Sequence, residues 1–128
     1  MMNSNKDYQM GLLNLVHVLI SADGEVNDNE QIAMKRIMDK ERIPMAVLEQ
    51  FKLAIANTKE RDIYQAGIDS INRCSDEDKL KAFVHLYQMS EVDGSVHVKE
   101  VRLLLYSIKS AGIEFEDVVK EATRQKAL

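Results

Sequence analysis

One ten-residue stretch of this 128-residue chain occurs twice, and it limits the available folds more than any other feature. Ser21-Ala22-Asp23-Gly24-Glu25-Val26-Asn27-Asp28-Asn29-Glu30 returns as Glu91-Val92-Asp93-Gly94-Ser95-Val96-His97-Val98-Lys99-Glu100. Each Asp-Gly pair has a Val three residues after the Asp and a Glu seven after it, and Asp93 and Glu100 stand 70 positions beyond Asp23 and Glu30. The flanks keep the same offset. Leu13, Val16, Leu19 and Ala22 align with Phe83, Leu86, Met89 and Val92, and Ala33, Met34 and Met38 align with Leu103, Leu104 and Ile108. Apolar residues at this helical spacing on both sides of a turn predict two copies of a helix–turn–helix unit, about residues 8–40 and 78–110.

The rest of the chain supports an all-α, compact single domain of about seven helices over residues 1–128. Five Gly and one Pro leave few breaks in a chain rich in good helix formers. Helix 1 is expected from about Lys6 to Ala22, with Leu13, Val16, Ile20 and Asp23 on one stripe and Leu12 and Leu19 beside it. Gly24 supplies the left-handed residue that ends it. Helix 2 starts with Asn27 or Asp28 as cap and runs to about Lys40; its stripe is Val26, Glu30, Ala33 and Ile37, and Lys35, Arg36, Asp39 and Lys40 form its wet face. Pro44 suits the first turn of helix 3, which carries Leu48, Phe51, Leu53 and Ile55. Asn57 with Glu60 reads as a capping box opening helix 4, whose apolar face holds Tyr64, Gly67, Ile68, Ile71 and Cys74. Ser75-Asp76-Glu77-Asp78 is a strong start for helix 5, which runs to the second Asp-Gly. Helix 6 carries Val96, Glu100, Leu103 and Leu104 and ends near Gly112. A last helix with Val118, Val119 and Ala122 leads to a tail, Arg124 to Leu128, expected to fray. Helices 3 and 4 are most simply an insert between the two repeated pairs.

Composition excludes several classes of function. A net charge of −4 with scattered basic residues argues against nucleic acid or an anionic membrane as partner. The single Cys74 excludes an internal disulfide framework and a Cys-rich zinc site. The start of the chain lacks the apolar core of a signal peptide, and no run approaches the ~20 apolar residues of a membrane helix, so a cytoplasmic location is expected. His17, His85 and His97 show no pair with ligand spacing, and no phosphate loop or nucleophile elbow is present, so an enzyme is not expected. Cys74 reads as packing, and Met34, Met38, Met45 and Met89 as core fillers, although an exposed Met patch can seat a partner helix.

The candidate site is the set Asp23, Glu30, Asp93 and Glu100. A turn between Asp23 and Glu30 can bring both carboxylates to one mouth, and Asp93 with Glu100 repeats the arrangement. A Glu on an apolar stripe must be satisfied, since an unpaired buried carboxylate is strongly disfavoured. Three partners are open: the helix end itself, with Asn27 and Glu30 as a capping box; a buried Lys or Arg from elsewhere; or a metal. His97 is a poor cap, which weakens the first reading in the second copy. Carboxylate-only ligation selects hard cations, Ca²⁺, Mg²⁺ or Mn²⁺. The spacing also matches the second half of an EF-hand loop. The first half is missing, because its opening Asp is Leu19 in one copy and Met89 in the other. A degenerate EF-hand-like calcium binder is thus an alternative with a principal ligand absent.

At these residues the chain resembles the TerB-like family, named for tellurite-resistance proteins of bacteria. The resemblance rests on Ala22-Asp23-Gly24 with Glu30, on Asp93-Gly94 with Glu100, and on the step Ser110-Ala111-Gly112-Ile113-Glu114-Phe115 into a final helix. It covers about residues 8–120, and the order and spacing of the motifs carry it. Val92, His97 and Lys99 depart from the acidic, small-residue pattern in the second copy. The resemblance implies a compact all-helical fold, an acidic site engaging divalent metal at Asp23, Glu30, Asp93 and Glu100, and a non-enzymatic place in a stress-response or envelope-associated system. The alternative is a helical protein–protein interaction module with purely structural carboxylates; a protein partner is expected on either reading.

Overall fold

The computed structural model describes residues 2–20, 28–92, 98–107 and 113–126. Among them are seven helices and no strand: α1 (Met2–Ile20), α2 (Asp28–Glu41), α3 (Met45–Ile55), α4 (Glu60–Asn72), α5 (Asp76–Val92), α6 (Val98–Ser107) and α7 (Phe115–Lys126). The all-α expectation holds, and none of the described helices is long and apolar enough to cross a membrane.

Helix α1 is the hub of the N-terminal half because it is buried nearly all round. Gly11 to Val16 are six consecutive buried residues, and Leu12, Leu13, Leu15 and Val16 have no exposed surface. A helix without a polar face must be covered on every side, and α2, α3, α4 and α5 all pack against it. Helix α5 has the same role further along, burying Ala82, Phe83, Val84, Leu86 and Met89 and carrying α6 and α7. The stripe residues Leu13, Val16 and Leu19 are buried, as are their counterparts in the sequence alignment, Phe83, Leu86 and Met89.

Helix α4 is part of the core, because two glycines let it approach α1. A Cβ placed on Gly67 would lie 2.9 Å from Leu15 Cδ2 and 3.0 Å from Asn14 Cβ; one on Gly11 would lie 3.0 Å from both Ile71 Cγ1 and Ser70 Cβ. The absent side chains bring the two backbones together and bury Ile68 and Ile71 against α1.

The ends of the helices correct several expectations. Helix α1 begins at Met2, earlier than Lys6, and its expected end at Ala22 lies outside the described residues. Helix α2 runs one residue past Lys40 and closes through Arg42, whose φ of 53° is left-handed. The Ile43 N–H then donates to the Met38 carbonyl at 2.9 Å, and Ile43 is buried, which is a Schellman closure with its apolar contact. Pro44 precedes α3 in extended conformation instead of occupying its first turn. No capping box forms on Asn57: Lys59 caps α4 by backbone alone, so Glu60 is the first helical residue and sits too early to reach back. The Thr58 hydroxyl donates to the Ala54 carbonyl at 2.5 Å. Ser75 does cap α5, its Oγ accepting from the Asp78 N–H at 3.2 Å. The tail is ordered into helix through Lys126, with Thr123 bonded to the Val119 carbonyl and Arg124 to Glu121. The expected end of helix 6 near Gly112 lies outside the described residues.

Met45, expected in the core, is 64% exposed, and Leu53 of the same helix is 78% exposed. Phe51 faces inward, and Leu53 lies about 200° further round the helix. Cys74 is buried as expected, its Sγ 3.4 Å from the Ser70 carbonyl.

Candidate functional site

The most developed polar cluster among the described residues joins three helices at the C-terminal end of α2. Glu41 is the last residue of that helix, where a carboxylate faces the negative end of the helix dipole and the unpaired carbonyls. Such a position needs compensation from outside the helix. The Tyr8 hydroxyl of α1 donates to Glu41 Oε2 at 2.6 Å, and His85 Nε2 of α5 lies 2.5 Å from the same oxygen. An ionised carboxylate only accepts, so the Nε2 of His85 carries the hydrogen. Lys81, one turn before His85, brings its Nζ to 3.5 Å from Oε1 and to 5.1 Å from the centre of the Tyr8 ring.

Burial sets the direction of the first shift and partners set the second. The Tyr8 hydroxyl is pushed far above its ordinary range by burial and then by the Glu41 carboxylate, so it stays a neutral donor. Burial pushes the Glu41 carboxyl upward too, but the hydrogen bonds from His85 and Tyr8, with the charge at Lys81, outweigh it and hold the group at about 2. Glu41 and His85 side chains are only 11% and 12% exposed. The Glu41 carboxylate is shared by the other three side chains, which suits bracing of α2 against α1 and α5. Burial likewise raises the Cys74 thiol, which opposes thiolate chemistry.

The sequence-predicted set is reached only in its backbone. Asp23 and Asp93 lie outside the described residues. Glu30 lies in α2 and Glu100 in α6, and their side chains lie outside the described residues. Among the described residues no group of three or more His, Cys, Asp or Glu could hold a metal ion. His17, expected to flank its helix, stands edge-on to the Phe51 ring with centroids 6.0 Å apart.

Periodicity and spacing rules did not single out Glu41, Tyr8 or Lys81, and took His85 only as lacking a ligand pattern. One local signal was available: an acidic residue in the last turn of a helix contradicts the dipole preference, and such violations mark sites compensated elsewhere. Comparison with protein-family models, curated proteins and solved structures finds no match for this chain.

Proposed function

We propose that this chain is a non-enzymatic helical domain of the TerB-like kind, whose acidic turns take up a divalent cation, Ca²⁺, Mg²⁺ or Mn²⁺. Asp23 with Glu30 and Asp93 with Glu100 supply the carboxylates, and the domain serves a bacterial stress-response or envelope-associated system. The observation that carries the reading is a shared register. Glu30 lies in α2 and Glu100 in α6, 70 positions apart in the sequence. Each follows a buried helix with matching core positions, Leu13, Val16 and Leu19 or Phe83, Leu86 and Met89. A cation shared between each Glu and the preceding Asp satisfies both acids.

Calorimetric titration of the full chain with CaCl₂, MgCl₂ and MnCl₂ tests this. Binding is expected, and Asp23→Asn or Glu30→Gln should weaken it at least about tenfold, since each removes a charged ligand. No binding at about 1 mM ion, or binding indifferent to both substitutions, overturns the reading.

A second reading, an interaction module with structural carboxylates, is favoured by exposed Met45 and Leu53 on α3. They lie two turns apart and about 80° apart around the helix. Partner capture that survives chelator and Glu30→Gln, but is lost in Leu53→Ser, would select it.

A further inference from the structure

The start of α5 and one stripe of α7 enclose a groove of about 530 Å³ that none of the preceding chemistry uses. Its apolar floor is Leu80 and Ile113, both half-buried and packed on the core. Asp117, Lys120, Glu121 and Arg124 wall it from α7 at the spacing of a single helix face. The groove is preformed, because α7 is firmly seated on α5. Val118 and Ala122 are buried, Phe115 stands edge-on to Tyr87 with centroids 5.7 Å apart, and Gln88 donates to Gln125 at 3.2 Å.

The rim carries four carboxylates, Asp76, Glu77, Asp117 and Glu121, against Lys120 and Arg124, and Lys79 stands 3.7 Å from Asp76. One base and one acid cancel internally, as Arg124 bonds to Glu121 through Nε at 2.9 Å and through its terminal nitrogen. Asp76 and Glu77 stand in the first turn of α5 and Asp117 in that of α7. An apolar floor between acidic side chains fits an amphipathic partner with positive flanks and disfavours nucleic acid or an anionic lipid surface.

We infer that this groove docks a short basic amphipathic helix of a partner protein, its apolar stripe seated on Leu80 and Ile113 and its Lys or Arg residues over the rim acids. The wall from Asp117 to Arg124 spans about 10 Å at 1.5 Å per residue, which accommodates about two turns of such a helix. The inference is independent of cation binding at Asp23 and Glu30.

The test uses the ¹⁵N-labelled full chain and two synthetic helical peptides of roughly 14 residues, sharing one Leu stripe and flanked by Lys in one and Glu in the other. The basic peptide should shift amide signals around Leu80, Ile113 and Asp117, with a Kd of about 10–100 µM. The acidic peptide should bind at least about tenfold more weakly. Two exposed substitutions should move the affinity in opposite directions, Glu77→Lys weakening and Lys120→Glu tightening it about three- to tenfold, with circular dichroism confirming the fold. Absence of shifts up to about 1 mM, shifts elsewhere, equal binding of both peptides, or indifference to both substitutions would overturn it. So would self-association that buries Leu80 and Ile113, since a second copy would then be the occupant.

Discussion

His85 Nε2 and Glu41 Oε2 lie 2.5 Å apart although 44 residues separate them, and their contact ties the end of α2 to the middle of α5. The Tyr8 hydroxyl reaches the same oxygen from α1, 33 residues away. The α1 and α2 helices are thus held together at the end remote from the Asp23 turn, by one carboxylate shared between two donors.

Removing that carboxylate should be felt across the fold. Glu41→Gln keeps the shape but weakens the charge-assisted bonds to two nearly buried donors, and should destabilise the protein by about 2 kcal/mol. Tyr8→Phe deletes one donor and should cost about 1 kcal/mol. Urea unfolding of the two single variants and the double variant measures this. If the bonds are coupled, the double variant loses less than the combined single losses. A change under about 0.5 kcal/mol in Glu41→Gln would show that the junction contributes nothing net.

The same residue confers a pH dependence of definite sign. The Glu41 carboxyl sits at about 2 in the folded chain, because the His85 and Tyr8 hydrogen bonds outweigh the upward push of burial. In the unfolded chain a Glu titrates near ~4.3. Its stabilising contribution is therefore complete above the unfolded value and is lost as pH falls through about 2. Allowing for partial exposure, the loss is on the order of 2 kcal/mol. Urea midpoints of the wild type and Glu41→Gln, taken between pH 6 and pH 2, should converge toward the acid end. Parallel curves would contradict the assignment.

Close helix approach makes Gly67 intolerant of even a methyl group. Alanine gains about 1 kcal/mol of helix propensity, but its Cβ meets Leu15 and Asn14 of α1, and overpacking costs about 1–3 kcal/mol. Gly67→Ala should lower the thermal midpoint modestly and Gly67→Val should lower it severely. A Gly67→Ala variant more stable than the parent would mean that α1 and α4 separate freely.

Arg42 should respond in the opposite sense. Its left-handed φ of 53° is costly for a residue with a Cβ, by about 1–2 kcal/mol, and glycine avoids that cost at an entropic penalty of about 0.5–1 kcal/mol. Arg42→Gly should therefore stabilise by about 0.5 kcal/mol, whereas Arg42→Val should destabilise, its branched Cβ being least tolerant of this conformation. Thermal melts of both variants decide it; a stabilising valine would rule out the strain argument.

Local pattern made much of this fold legible before any coordinates. The apolar spacing of Leu13, Val16 and Leu19, the Ser75 cap, and the scarcity of Gly and Pro are properties of neighbouring residues, and helices depend chiefly on neighbours. The same locality explains the error at Met45. Met45 is apolar, yet only the packing of α3 on α1 decides which side of the helix is covered. The cation reading rests on the 70-residue register and the matching core positions, since Asp23 and Asp93 lie outside the described residues. The Glu41 junction was beyond sequence reasoning for a different reason. Tyr8, Glu41 and His85 lie on three helices, and no periodicity relates them. They meet because α2 and α5 both pack on α1, and a carboxylate at a helix C-terminus becomes tolerable only once that packing delivers two donors to it.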